Sequence, residues 1–303
     1  MVSLSARFPG VLWSNTVVMS SIQTIPIVDR AIGRPRTTGA MTRAGTMELM
    51  VVEHDADRVR ELVACGLSTF LVDWEHLGKD ARQRGFDTEI RPATLEDLRR
   101  VSGVPDAVAW CRLNRFGPHT ASEVEAAIGT GAHGLFLPMV TRPAEVQSFL
   151  GLVGGRAGVG ILIETVEGLA SVRQLASFPL DRVYFGLNDF AISRGGGPIF
   201  RAVLDGSVAR AREAFAGTRF GFGGLSAVDG GYPVPCHRLL EEMARLQCDF
   251  CFLRRSFRRD LATRPAGAIV AGLETAWRGC LSRDSAAIER DHAALCGILC
   301  GLA

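Results

Sequence analysis

From residue 45 onward the chain repeats one unit eight times: a short apolar run that ends in polar residues, then a stretch with helical spacing. Strands are expected at residues 46–52, 68–74, 106–113, 134–139, 159–163, 181–185, 218–222 and 249–253. Helical patterns fill the gaps at 55–65, 94–101, 122–130, 142–152, 166–177, 200–216 and 235–246. Two of the helix starts carry capping chemistry: Thr94 with Asp97 three residues on, and Thr141-Arg-Pro-Ala-Glu145 with proline in the first turn. Alternation of this kind means parallel strands joined by helical crossovers. An open, doubly wound sheet would show the same alternation, but eight units in a row favour a closed (β/α)₈ barrel. Two further helical stretches follow at 266–278 and 286–299, where a barrel needs only one. The surplus helix is expected to pack on a neighbouring subunit.

Composition narrows the class. Hydrophobic residues are 47% and charged residues 22% of the 303, which suits a soluble enzyme with a sizeable core. A net charge of +2 gives no global reason to expect nucleic acid. Of the 34 basic residues only Lys79 is lysine. The eight cysteines lie in a long chain without an evident secretory segment and read as reduced core residues. Cys248 and Cys251 have the spacing of half a zinc knuckle, with no second pair at a usable distance. No apolar run reaches the roughly 18 residues of a membrane span. Residues 1–44 are broken by Pro26, Gly33 and Pro35 and are expected to be a variable extension, with the barrel domain at 45–303. A cytoplasmic location is expected.

In such a barrel the functional residues gather at the C-terminal ends of the strands. The second strand ends in Asp73-Trp-Glu75-His76, the third in Arg112-Leu-Asn114, the fifth in Glu164-Thr165 and the sixth in Asn188-Asp189. Glu164 and Asp189 are one βα unit apart, so they are expected side by side on neighbouring strands. Two adjacent carboxylates repel, and one would stay protonated unless a divalent cation lay between them. Mg²⁺ or Mn²⁺ suits such a pair, with Co²⁺ a further candidate. The plainer reading is that each caps a helix or pairs with an arginine. His76, beside Asp73 and Glu75, has the surroundings of a general base, with an adjacent carboxylate to orient it. Arg112 suits a carboxylate or a polarised carbonyl, or equally a structural ion pair with Glu75 or Glu164.

Taken in order, Asp73-Trp-Glu-His76, Arg112-Leu-Asn114, Gly134-Leu-Phe-Leu-Pro-Met139, Ile163-Glu-Thr165 and Gly186-Leu-Asn-Asp189 resemble the HpcH/HpaI aldolase and citrate lyase beta-subunit family. The resemblance spans roughly residues 45–260. It implies a (β/α)₈ barrel, a homo-oligomer (trimer or hexamer) with an exchanged C-terminal helix, and metal ligation by Glu164 and Asp189. It also implies contact between Arg112 and a 2-oxo acid, with His76 as the base. Leu187, Asn188 and Asp189 would hold the substrate carboxylate, with Asn114 beside it. The implied reaction is carbon–carbon cleavage or synthesis through the metal-held enolate of a pyruvate-like acid, with an aldehyde or an acyl-CoA as the second reactant. Schiff-base aldolases need a lysine in the barrel mouth. The only lysine, Lys79, lies in a loop three residues past His76, so elimination also favours the metal route.

Lys79 and Arg82 are similar to the acyl-CoA lyase branch, and Arg254 and Arg255 after the eighth strand offer an anion site. A citryl- or malyl-CoA-type lyase or a Claisen-type synthase is therefore the alternative enzyme. A barrel that has lost catalysis and serves in binding or assembly is the alternative outside enzymes. The glycine-rich stretches at 195–197, 223–224 and 230–231 suit either phosphate-binding amides or plain lids.

Overall fold

A computed structural model describes residues 45–77, 93–253 and 255–302. Eight parallel strands alternate with helices: β1 Glu48–Val52, β2 Thr69–Asp73, β3 Val108–Arg112, β4 Gly134–Leu137, β5 Gly158–Ile163, β6 Arg182–Phe185, β7 Arg219–Phe222 and β8 Phe250–Leu253. The sheet runs β7-β6-β5-β4-β3-β2-β1-β8. Its outer strands meet where Asp249 N donates to Phe220 O at 2.8 Å and Leu225 N to Phe252 O at 3.1 Å. The order is that of a (β/α)₈ barrel.

The strands alternate between two surroundings, because successive side chains point to opposite faces. Outward residues such as Phe70, Leu135, Ile161 and Phe185 pack under the helices. Inward residues Met50, Leu71, Trp110, Phe136, Leu162, Tyr184 and Phe250 form a separate buried cluster. This plug needs room: a Cβ on Gly134 would meet the Trp110 ring at 2.6 Å. Below it, Glu48 binds both Arg182 and Arg219, and the Arg182 guanidinium lies 4.4 Å over the Trp110 ring. Continuing the alternation past the plug brings Asp73, Arg112 and Glu164 to the C-terminal mouth.

Local chemistry sets the helix starts. Asp55 caps α1 (Ala56–Ala64), and Thr94 with Asp97 forms the expected capping box on α2 (Leu95–Ser102). Helices α3 (Thr120–Gly129) and α4 (Pro143–Val153) follow β3 and β4. Two expected helices are broken. Residues 166–177 form α5 (Val166–Ala170) and α6 (Val172–Leu175). A third short helix, α7 (Leu187–Ser193), was not expected and follows β6 directly. Residues 200–216 split into α8 (Arg201–Leu204) and α9 (Ser207–Ala214) at Gly206, whose φ of +77° breaks the helix.

Helix α10 (Cys236–Arg245) precedes β8, and the short α11 (Arg255–Asp260) follows it. The two terminal helices, α12 (Ala266–Leu281) and α13 (Ser285–Cys300), pack on α10 of the same chain. Asp291 of α13 accepts from Arg283 at 2.7 Å and Arg238 at 3.1 Å, while Arg283 also donates to Glu241 O at 2.8 Å. Among the described residues no helix is long and apolar enough to cross a membrane.

The floor of the barrel makes a test. Glu48→Ala strips the partner from the buried Arg182, and loss of one member of a buried pair costs about 3–5 kcal/mol. Urea denaturation should show a loss of that order.

Candidate active site

Arg112 is the pivot of the mouth. Its Nε and Nη2 donate to Asp73 Oδ1 and Oδ2 at 2.9 and 2.6 Å, a bidentate pair between residues in direct register on β3 and β2. Nη1 lies 3.6 Å from Oε2 of the buried Glu75. Asp73 Oδ1 also accepts from Glu75 N at 3.1 Å, which fixes the turn out of β2. Burial by itself would weaken the guanidinium's hold on its proton; Asp73, Glu75 and Glu164 more than reverse this and keep Arg112 charged.

Glu164 follows β5, and its Oε2 accepts from Met139 N at 3.0 Å. Met139 takes a left-handed backbone (φ +54°), an uncommon conformation that delivers this amide. Thr165 steadies the same loop: its hydroxyl donates to Val140 O at 2.7 Å and accepts from Gly168 N at 2.9 Å. Across from Glu164, Gly186 leaves space that a side chain would fill, since a Cβ there would stand 2.5 Å from the Glu164 carboxyl. The Glu164 carboxyl is pushed up to about 8, first by burial, then by the charges of Asp189 and Glu75, against the lowering effect of Arg112 and the Met139 amide.

Asp189 is buried, but not at a strand end. Strand β6 stops at Phe185, and Asp189 occupies the first turn of α7. The expected pairing of Glu164 and Asp189 at equal strand heights is therefore corrected. By register Glu164 faces Gly186, and Asp189 comes in from the helix above it. Leu187 is buried in the same turn and Asn188 is exposed. The first turn of a helix leaves its amides without intrahelical acceptors and favours negative charge.

The Asn114 side chain is engaged with protein. Its Oδ1 accepts from His76 N at 2.9 Å and Leu77 N at 2.8 Å, and its Nδ2 donates to Glu123 at 2.5 Å. This clasp ties the turn after β2 to α3. His76 itself is exposed at the rim, with Nδ1 2.8 Å from Trp74 O. A carbonyl only accepts, so Nδ1 carries a hydrogen, and in the neutral ring the lone pair is on Nε2. Lys79, Arg82 and Arg254 lie outside the described residues, as does the side chain of Arg255. Cys248 and Cys251 are buried, and Cys251 contacts backbone carbonyls of Phe222 and Phe252.

Met139 and Gly186 had no role in the sequence reading; Glu75 was expected beside His76 or as an ion-pair partner of Arg112, and it lies 3.6 Å from the Arg112 guanidinium. Glu75 had a readable signal, because it lies two residues past the inward-facing Asp73. Asp73, Glu75 and Glu164 thus accompany the Arg112 guanidinium, and Glu164 in turn feels the charges of Glu75 and Asp189. Among the described residues no group of three or more metal-ligating side chains converges. A two-carboxylate set fits Mg²⁺ or Mn²⁺, which keep several water or substrate oxygens, better than a closed zinc site.

The sequence matches no protein-family model and no curated protein. Solved structures share the fold. An HpcH/HpaI aldolase from Desulfitobacterium hafniense has a TM-score of 0.56 at 15% identity, over 77% of this chain and 93% of that one. The protein CitE from Mycobacterium tuberculosis, in complex with magnesium and pyruvate, has a TM-score of 0.53 at 17% identity, over 82% and 97%. The 3-hexulose-6-phosphate synthase of Salmonella typhimurium scores 0.53 at 16% identity, over 78% and 98%. Proteins of the kind the motifs resemble are among the structural neighbours. So is an enzyme of different name, and at these identities the likeness establishes the barrel alone.

Glu164 yields a pH prediction. Its folded value, about 8, is above its unfolded value of 4.5, so its stabilising effect is complete below 4.5 and is lost as pH rises through about 8. Metal-free protein should melt at a lower temperature at about pH 9 than at about pH 5, and Glu164→Gln should flatten that difference. Mn²⁺ should raise the melting temperature more at the alkaline end, where the carboxylate is free to bind it.

Proposed function

We propose that this chain is a divalent-metal-dependent carbon–carbon lyase of the aldolase type that acts on a pyruvate-like 2-oxo acid. The observation that carries this reading is Glu164, buried at the barrel mouth with one backbone amide donated to it by Met139 and with the charges of Asp189 and Glu75 close by. A divalent cation held by Glu164 and Asp189 would offset the repulsion between these carboxylates. Mg²⁺ or Mn²⁺ held by Glu164 and Asp189 would supply Lewis-acid polarisation of a keto oxygen. The M. tuberculosis protein of the same fold, in complex with magnesium and pyruvate, supports the choice of ligand.

The protein's own groups account for the rest. Asp73 fixes the plane of the Arg112 guanidinium, which faces the negative charge that develops as the 2-oxo acid becomes an enolate. A charge held in place before reaction costs no reorganisation when the reaction occurs. The Nε2 lone pair of His76 is the acceptor for the proton of the partner hydroxyl in cleavage, and returns it in synthesis. Asn114 is a positioning residue, since it holds the amides of His76 and Leu77. The first-turn amides at Leu187, Asn188 and Asp189 offer donors for the substrate carboxylate.

Deuterium exchange into the methyl protons of pyruvate tests the reading. Exchange is expected with Mg²⁺ or Mn²⁺ and should stop with a chelator. Arg112→Met should slow it by about 100-fold, the usual loss for a preorganised charge stabiliser. Asp73→Asn should lower kcat more than it raises KM, because it releases the guanidinium without removing it. His76→Ala should abolish metal-dependent oxaloacetate decarboxylation or aldol cleavage. No exchange with Mg²⁺, Mn²⁺ or Co²⁺ would sink the proposal.

A further inference from the structure

A second cluster of reactive side chains lies between α10 and α13, outside the barrel. Glu242 is a buried carboxylate on α10. It accepts from Arg245 Nε at 2.7 Å and Nη2 at 2.6 Å, a bidentate ion pair. Its Oε2 is also 2.9 Å from Nδ1 of His292 on α13. With Nδ1–H donating to this carboxylate, the neutral ring carries its lone pair on Nε2. That lone pair is 3.6 Å from Sγ of Cys296, one helical turn along the same face.

The result is a three-member chain in which a buried carboxylate orients an imidazole and the imidazole faces a thiol. Generalised triad chemistry needs that arrangement: a nucleophile, a base in reach and a third group that orients the base. Burial, the charge of Glu242 and the neighbouring Cys300 raise the Cys296 thiol above its ordinary value, so it stays protonated until a base takes its proton. His292 is placed to do so. Cys296 and the His292 side chain are both only partly buried, which leaves the sulfur open to a small reagent.

We infer that Cys296 is a base-assisted nucleophilic thiol and a site of S-thiolation by low-molecular-weight disulfides. In the step, the thiol proton passes to His292 Nε2 as the sulfur attacks one sulfur of the disulfide. A new sulfur–sulfur bond forms, the old one breaks, and the departing thiolate takes the proton back from the imidazolium. The disulfide is the only oxidant needed. The inference does not rest on the chemistry of the barrel mouth.

Oxidised glutathione is the probe, with site-resolved peptide mass spectrometry of the full-length protein as the readout. Cys300, exposed and on the same helix, is the internal reference. In the wild type Cys296 should be modified several-fold faster than Cys300, although it is the more buried. His292→Gln should slow Cys296 by about tenfold or more, the low end of general-base contributions, and leave Cys300 unchanged. A wild-type Cys296 no faster than Cys300 overturns the inference, and this comparison needs no folded variant. An unchanged rate ratio in a folded His292→Gln protein overturns it as well.

Discussion

Closing eight parallel strands into a barrel sends every second residue of every strand into one narrow interior. Charges that enter it must find partners there, because water cannot follow. At the floor, Glu48 serves two arginines at once. In the middle, Trp110, Phe136, Tyr184 and Phe250 fill the section with rings in contact. The mouth sits above this plug, so its polar groups see a low dielectric below and the surface above. Interactions between charges there are correspondingly strong.

The mouth divides into a settled half and an unsettled half. Asp73 and Arg112 neutralise one another with good geometry and need nothing further. Glu164 is less balanced: burial and the charges of Asp189 and Glu75 outweigh the help of Arg112 and the Met139 amide. The backbone has been shaped around this carboxyl: Met139 adopts a left-handed conformation to donate to it, and Gly186 gives up a side chain to make room. Strain and lost side chains gathered at one carboxylate are what a functional site looks like in physical terms. The proposed cation and anionic substrate rest on the charges around Glu164 more than on the likeness of fold.

The terminal helices show the same logic on the outside. Arginines Arg238 and Arg283 clamp Asp291, so α13 is held at a fixed angle on α10. That clamp is what brings His292 to Glu242 and sets the spacing to Cys296. The helix that the sequence left as a surplus element, expected on a neighbouring subunit, covers α10 of its own chain.

Much of the architecture was legible in the sequence because it depends on local patterns. Eight apolar runs, the helical spacing between them and the cap at Thr94 are all encoded within a few residues. So is strand parity, which put Asp73, Arg112 and Glu164 on one face. The boundaries moved by three residues at most, except where Gly206 and Ser171 interrupted helices. What the sequence could not decide was how separate strands align and how loops return. Asp189 lies on a helix because α7 begins directly after Gly186. Asn114 holds a neighbouring turn because α3 brings Glu123 to it, and Glu75 joins Arg112 because β2 and β3 pair in register. Each of these contacts links residues that only the pairing and packing of distant segments bring together.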